Sequence, residues 1–170
     1  MSISLIVTGV GNASTGEEIC KSLQLGRQDY DITATNVELD RMVVVDGVRK
    51  VLLPPASDTG YLEALAAVAD EVEARFILPG SDAELLRIVE GSEELADLTE
   101  AVPLANNAEA LRICMDKQRT AEVVRQAGMY APKTFECTGL ESALGAMERL
   151  DVGYPLIIKP KSGGGGSAHV

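Results

Sequence analysis

Histidine is all but missing from this chain: His169, next to the carboxyl terminus, is the only one. A histidine-based catalytic triad, or a zinc site of histidine and cysteine, therefore has almost nothing to be built from. Cysteine is also scarce. Cys20, Cys114 and Cys137 are odd in number and far apart, which argues against a disulfide framework and fits the reduced thiols of a cytoplasmic protein. No apolar run approaches the length needed to span a bilayer. The opening Met1-Ser2-Ile3-Ser4 lacks the basic start and long apolar region of a signal peptide, so no membrane partner is expected. Basic residues are outnumbered, 15 against 26 acidic ones, and the net charge of −11 speaks against nucleic-acid backbones as partners. There is no internal repeat.

What the chain does have is material for a core. Hydrophobic residues make up 46% and charged residues 24% of 170 positions, the composition of a folded domain, or of one domain and part of a second. Ile3 to Val7 reads as a buried strand, followed by the turn Thr8-Gly9-Val10-Gly11-Asn12 and a helix from about Ser14 to Leu25. Ser14 and Glu17 have capping-box spacing, and Ile19, Cys20 and Leu23 supply an apolar stripe. A second strand is predicted near Ile32 to Val37. Asp46-Gly47 between Met42–Val45 and Val48–Leu53 predicts a hairpin. Asp58 is expected to cap a helix carrying Tyr61, Leu65, Val68 and Val72. Arg75 to Leu78 is another strand, and Ser81 with Glu84 a second capping box. An acidic helix near Glu93 to Glu100 and a short strand at Val102 to Leu104 complete an alternation that implies a mainly parallel, Rossmann-like α/β sheet over residues 1–105.

The texture changes at Asn106-Asn107. Short helices are expected around Ala110–Cys114 and from about Thr120 to Ala127, the latter closing at Gly128. An extended segment, Ala131 to Phe135, precedes a helix opened by Thr138 with Glu141. Leu156 to Ile158, bounded by Pro155 and Pro160, reads as a short buried strand that delivers Lys159 at its carboxyl end. Gly163-Gly164-Gly165-Gly166-Ser167 follows. Glycines can turn successive backbone N–H groups around an anion, so strand, lysine and glycine loop together point to nucleotide phosphate. It is not a Walker P-loop, because no Gly-Lys-Ser/Thr completes the pattern. By composition alone the same glycines also match a flexible linker.

Two further features have competing readings. Asp82 and Glu84 follow a strand's carboxyl end, where ligands bind in open parallel sheets. Carboxylates in the first turn of a capped helix also serve the cap and the helix dipole, and that structural role is favoured here. Gly9-x-Gly11 raises dinucleotide binding as a rival function. Position 14 is Ser rather than Gly, however, and Glu38 is only a loose match for the ribose-binding acid.

Taken in order, four elements resemble the ATP-grasp superfamily, nearest to its carbamoyl-phosphate-synthase-like members. Pro79-Gly80-Ser81-Asp82-Ala83-Glu84-Leu85 is similar to the family's Pro-x-x-Asp-x-Glu-Leu, and Asp116-Lys117 to the pair that opens the ATP-binding part. Gly128 to Thr134 is similar to its Gly-x-x-x-Pro-x-Thr element, and Tyr154 to Pro160 to the strand of its second lysine. The resemblance spans the whole chain as an amino-terminal portion: a Rossmann-like domain over residues 1–105, then linker helices and an incomplete ATP-grasp lobe over 106–170. It implies an ATP-dependent ligase that activates a carboxylate for attack by an amine or other nucleophile. Lys117 and Lys159 would contact ATP phosphates, and Gly163, Gly164, Gly165, Gly166 and Ser167 would form a flap over them. Mg²⁺ would be held by residues outside this chain, and no catalytic residue is assigned within it. On this reading the chain alone is inactive and its carboxylate, nucleophile and oligomeric state are unspecified. Lys161 departs from the arginine often found after Lys-Pro. The alternative is a non-catalytic Rossmann-like module that binds a nucleotide or dinucleotide, and Lys117 taken alone reads first as a solvated residue at a helix start.

Overall fold

The strand β1, Ile3–Val7, is apolar at every position but Ser4 because it lies at the centre of a sheet covered on both faces. Leu5 and Val7 point to one side, where they join Val10, Cys20, Ile32, Ala34, Met42 and Val45 in one buried cluster. Ile6 points to the other, into a cluster with Tyr61, Leu62, Leu65, Ile77, Ile88 and Leu95. Strand periodicity of two thus places two separate cores on a single five-residue element.

The computed structural model describes residues 2–150 and 157–159. The chain divides into two compact units, Met1–Asn107 and Ala108–Val170. The first holds five parallel strands in the order β3-β2-β1-β4-β5. They are β1, β2 (Tyr30–Asn36), β3 (Arg49–Leu52), β4 (Phe76–Leu78) and β5 (Val102–Pro103). In register, Leu5 faces Ile32 across β1 and β2, and Ile6 faces Ile77 across β1 and β4. Helices α1 (Thr15–Gln24), α2 (Tyr61–Glu71), α3 (Asp82–Glu90) and α4 (Ser92–Leu98) link the strands. The fold class is therefore the expected α/β arrangement with a parallel sheet. Both predicted caps form: the Ser14 side chain accepts from the Glu17 N–H and the Ser81 side chain from the Glu84 N–H. The Thr99 hydroxyl, donating to Asp70 Oδ1 at 2.6 Å, ties the end of α4 back to α2.

Several local expectations are corrected. The hairpin about Asp46-Gly47 does not form. Leu39–Val44 is a 3-10 helix, and β3 pairs parallel with β2. Gly47 keeps the turn, at φ +69°, but burial of Met42 and Val45 in the α1-side core outweighs local hairpin propensity. Asp58 does not cap α2. Its carboxylate accepts from the Gly60 N–H at 2.8 Å, one residue before the helix begins, and α2 has no side-chain cap.

In the second unit, α5 (Ala108–Met115), α6 (Lys117–Gln126) and α7 (Leu140–Leu150) are helical. The helix α6 starts three residues earlier than expected because Asp116 caps it, accepting from the N–H groups of Gln118 and Arg119. Residues 129–137 carry no regular secondary structure. Ser142, not Glu141, satisfies the start of α7: its hydroxyl oxygen accepts from the N–H groups of Thr138 and Gly139. The buried strand expected at Leu156–Ile158 is not seen where it is described. Ile157 and Ile158 are 77% and 75% exposed and belong to no strand. A strand of three residues has no stability without a paired neighbour, and none pairs with them among the described residues.

Candidate functional site

The strand order reverses between β1 and β4, so their carboxyl ends form the topological switch point where open parallel sheets receive ligands. In this chain the point is filled by tight backbone packing. The Gly80 N–H donates to Thr8 Oγ1 at 3.4 Å, and a Cβ at Gly80 would collide with the Thr8 carbonyl and the Gly16 backbone. Gly9 sits at φ +62°, and a Cβ there would strike Glu84 Oε2. Above this contact, the Ser81 hydroxyl donates to Glu84 Oε2 at 2.6 Å and the Tyr61 hydroxyl lies 3.4 Å from Oε1. Burial pushes the Glu84 carboxyl above the usual carboxylate range; hydrogen bonds from Ser81, Thr8, Tyr61 and the Gly9 amide offset this in part. The same burial pushes the Tyr61 phenol far up, and the Glu84 carboxylate adds to the shift. Glu84 thus binds three elements of its own fold together. Asp82 beside it is exposed.

The Gly9–Gly11 turn carries its own acidic group. Glu17, in the first turn of α1, is 6% exposed. Its Oε2 accepts from the Ala13 N–H at 2.7 Å and its Oε1 from Lys21 Nζ at 2.5 Å. Those bonds, the Lys21 bond foremost, hold the carboxyl below its ordinary range, and they also fix Ala13 in the left-handed region at φ 56°. A dinucleotide's pyrophosphate would rest against this helix start. At that place Glu17 already takes the Ala13 N–H, and Lys21 neutralises its charge. Cys20 lies in the α1-side core, and burial raises its thiol to about 11, so it is neutral and unsuited to nucleophilic work.

The sequence-predicted phosphate contacts lie in the second unit. Lys117 opens α6 directly behind its Asp116 cap and is half-buried. Because the Asp116 carboxylate already takes the N–H groups of Gln118 and Arg119, phosphate would be met there by the Lys117 ammonium and not by the helix end. Lys159 is exposed. Gly163, Gly164, Gly165, Gly166 and Ser167 lie outside the described residues. Among the described residues, no cluster of acidic, histidine or cysteine side chains could hold a metal ion. Sequence reasoning missed a cationic group, Arg125, Lys133 and Arg149, that lines one cavity in this unit. Arg125 and Arg149 lie 24 positions apart, with Lys133 between them, and only folding gathers the three.

Comparison with solved structures places the fold. N5-carboxyaminoimidazole synthetase from Staphylococcus aureus matches 96% of this chain with a TM-score of 0.62 at 16% identity. A biotin carboxylase–βγ-ATP complex from Campylobacter jejuni matches 97% with a TM-score of 0.57 at 21% identity. No family model matches the chain. D-alanine–D-alanine ligase A from Bacillus cereus is 40% identical over 53 residues, 31% of this chain. The chain shares its fold with these solved structures over nearly its whole length. It spans 40% and 36% of those two solved chains and 17% of the curated relative.

Proposed function

We propose that this chain is the amino-terminal portion of an ATP-grasp ligase, with a Rossmann-like domain over residues 1–105 and the start of the ATP-grasp domain over 106–170. The observation that supports it most is a fold shared over nearly the whole chain, 96% at TM-score 0.62, with Asp116-Lys117 at the head of α6. ATP supplies the phosphoryl group that activates a carboxylate for attack by an amine or other nucleophile. Lys117 and Lys159 are the residues that neutralise the phosphates, and Gly163 to Ser167 the flap that excludes water on closing. Two ammonium groups from different segments suit a triphosphate because each contributes a point charge with rotatable donors. Magnesium is the expected metal, with its ligands expected outside this chain.

Calorimetric titration of the 170-residue chain with ATP tests this reading, paired with a phosphate-release assay. Weak binding that falls in Lys117→Ala and in Lys159→Ala, with no turnover, is expected. Magnesium-dependent hydrolysis that survives further purification, or ATP affinity indifferent to both lysines, would place the site elsewhere.

A further inference from the structure

We propose a second anion site in the α6–α7 unit, an open surface cavity of about 580 Å³ that receives the phosphoryl group of a small phosphorylated molecule through the exposed side chains of Arg125, Lys133 and Arg149. The site is distinct from the Lys117 and Lys159 contacts, neither of which lines it. Its volume lies within the range of small-molecule pockets, roughly 300–1,000 Å³.

Three cations meet here in a chain whose net charge is −11, so the patch is not part of a generally basic surface. Their hydrogen bonds go to backbone carbonyls: Arg125 Nε to Ala121 O at 3.0 Å, Lys133 Nζ to Leu150 O at 3.0 Å, and Arg149 Nε to Gly145 O at 3.2 Å. These bonds orient the side chains without neutralising them. The ion pairs found among the described residues join other groups, all between Glu17 and Glu94. Among the described residues one carboxylate lines the cavity, Glu122, and it is occupied by the Gln118 amide at 3.0 Å. Counted over the described residues, its lining carries an excess of two positive charges, three cations against one carboxylate.

The side chains suit a multiply charged oxyanion better than a halide, and the excess of cations suits phosphate. Guanidinium groups present planar forks that match phosphate oxygens, and two of the three cations are arginines. Arg149 also lies over the Phe135 ring at 5.2 Å, which keeps its planar head at the cavity wall. Phe135 adds an apolar surface against which the organic part of the molecule can rest.

The test is calorimetric titration of the full chain with inorganic pyrophosphate, in a Lys117→Ala/Lys159→Ala background that removes the proposed ATP contacts. Binding is expected to persist in that background, to weaken with added salt, and to drop about tenfold or more on adding Arg125→Ala with Arg149→Ala. The exposed Arg41→Ala should leave it unchanged, and circular dichroism of each variant reports that helices α5–α7 remain folded. The doubly lysine-substituted variant Arg125→Lys/Arg149→Lys should recover part of the affinity. Loss of pyrophosphate binding in the Lys117→Ala/Lys159→Ala background would overturn the proposal, as would no binding at millimolar pyrophosphate or binding indifferent to both arginines. ATP affinity that depends on Lys159 but not on Arg125 or Arg149 would uphold the ligase reading by itself, so the two readings fail separately.

Discussion

Ser81 and Glu84 bind each other twice: the Ser81 hydroxyl donates to Glu84 Oε2 at 2.6 Å, and its oxygen accepts from the Glu84 N–H at 3.3 Å. The pair starts α3, and through Tyr61 and the Gly9 amide it also secures the carboxyl ends of the central strands. A residue that follows from helix-capping rules thus ends up at the crevice where ligands enter this class of sheet.

Glu84 predicts a pH dependence with a definite sign. Its folded-state carboxyl is held above the ordinary value of 4.5 by burial, so the folded protein binds that proton more tightly than the unfolded chain. The associated stability is fully present below the unfolded value and is lost as pH rises through the folded one. Urea midpoints of the natural protein and Glu84→Gln, compared from about pH 4 to about pH 8, should show the natural protein's relative stability falling with pH. A difference that is flat, or that rises with pH, would remove the assignment.

Gly80 and Gly145 should respond in opposite directions to alanine. A methyl group at Gly80 meets the Thr8 carbonyl and the Gly16 backbone, neither of which is a flexible side-chain end. Gly80→Ala should cost about 1–3 kcal/mol or more, as overpacking does. Gly145 lies inside α7 with open space around it, so Gly145→Ala should stabilise that helix by about 0.5–1 kcal/mol. Thermal unfolding followed by circular dichroism measures both.

Asp116 should matter to the stability of α6 and to nucleotide binding. Asp116→Ala leaves the N–H groups of Gln118 and Arg119 without their shared acceptor and should cost about 1 kcal/mol. Asp116→Asn keeps an acceptor and should retain most of that. If Lys117 contacts phosphate, Asp116→Ala should also weaken ATP binding, because the first turn that carries the lysine frays. Unchanged ATP affinity in a variant with a measurably frayed α6 would count against Lys117.

Lys159 is exposed, so its removal should leave thermal stability within about 0.5 kcal/mol. On the proposed function, Lys159→Ala should nevertheless weaken ATP binding about tenfold or more, the scale of a charge-assisted contact. Unchanged affinity would make Lys159 an ordinary solvated lysine.

Much of the first unit was legible before folding. The near-continuous apolar run Ile3–Val7 implied a strand covered on both faces, and the two serine caps implied where α1 and α3 begin, because these signals depend on neighbours within a few residues. The Asp46-Gly47 hairpin failed for the converse reason. Its turn chemistry was local and correct, but whether the flanking residues pair with each other or with β2 depends on Met42 and Val45 finding a core supplied by Cys20, Ile32 and Ala34. The lysines at 117 and 159 could be picked from motif order, whereas Arg125, Lys133 and Arg149 could not, since no spacing rule joins a helix, a loop and a second helix.

By itself, the sequence determined the alternation of strands and helices, the caps, the acidic balance and the resemblance to ATP-grasp enzymes. All of these are carried by residues adjacent in the chain or by totals over it. Only the tertiary structure decided that β3 runs parallel to β2, that Glu84 is a half-buried fastening more than a solvated first-turn acid, and that three cations share one cavity. Each of those rests on surface removed from water, or charge brought together, by residues far apart in sequence, and only the folded chain contains those contacts.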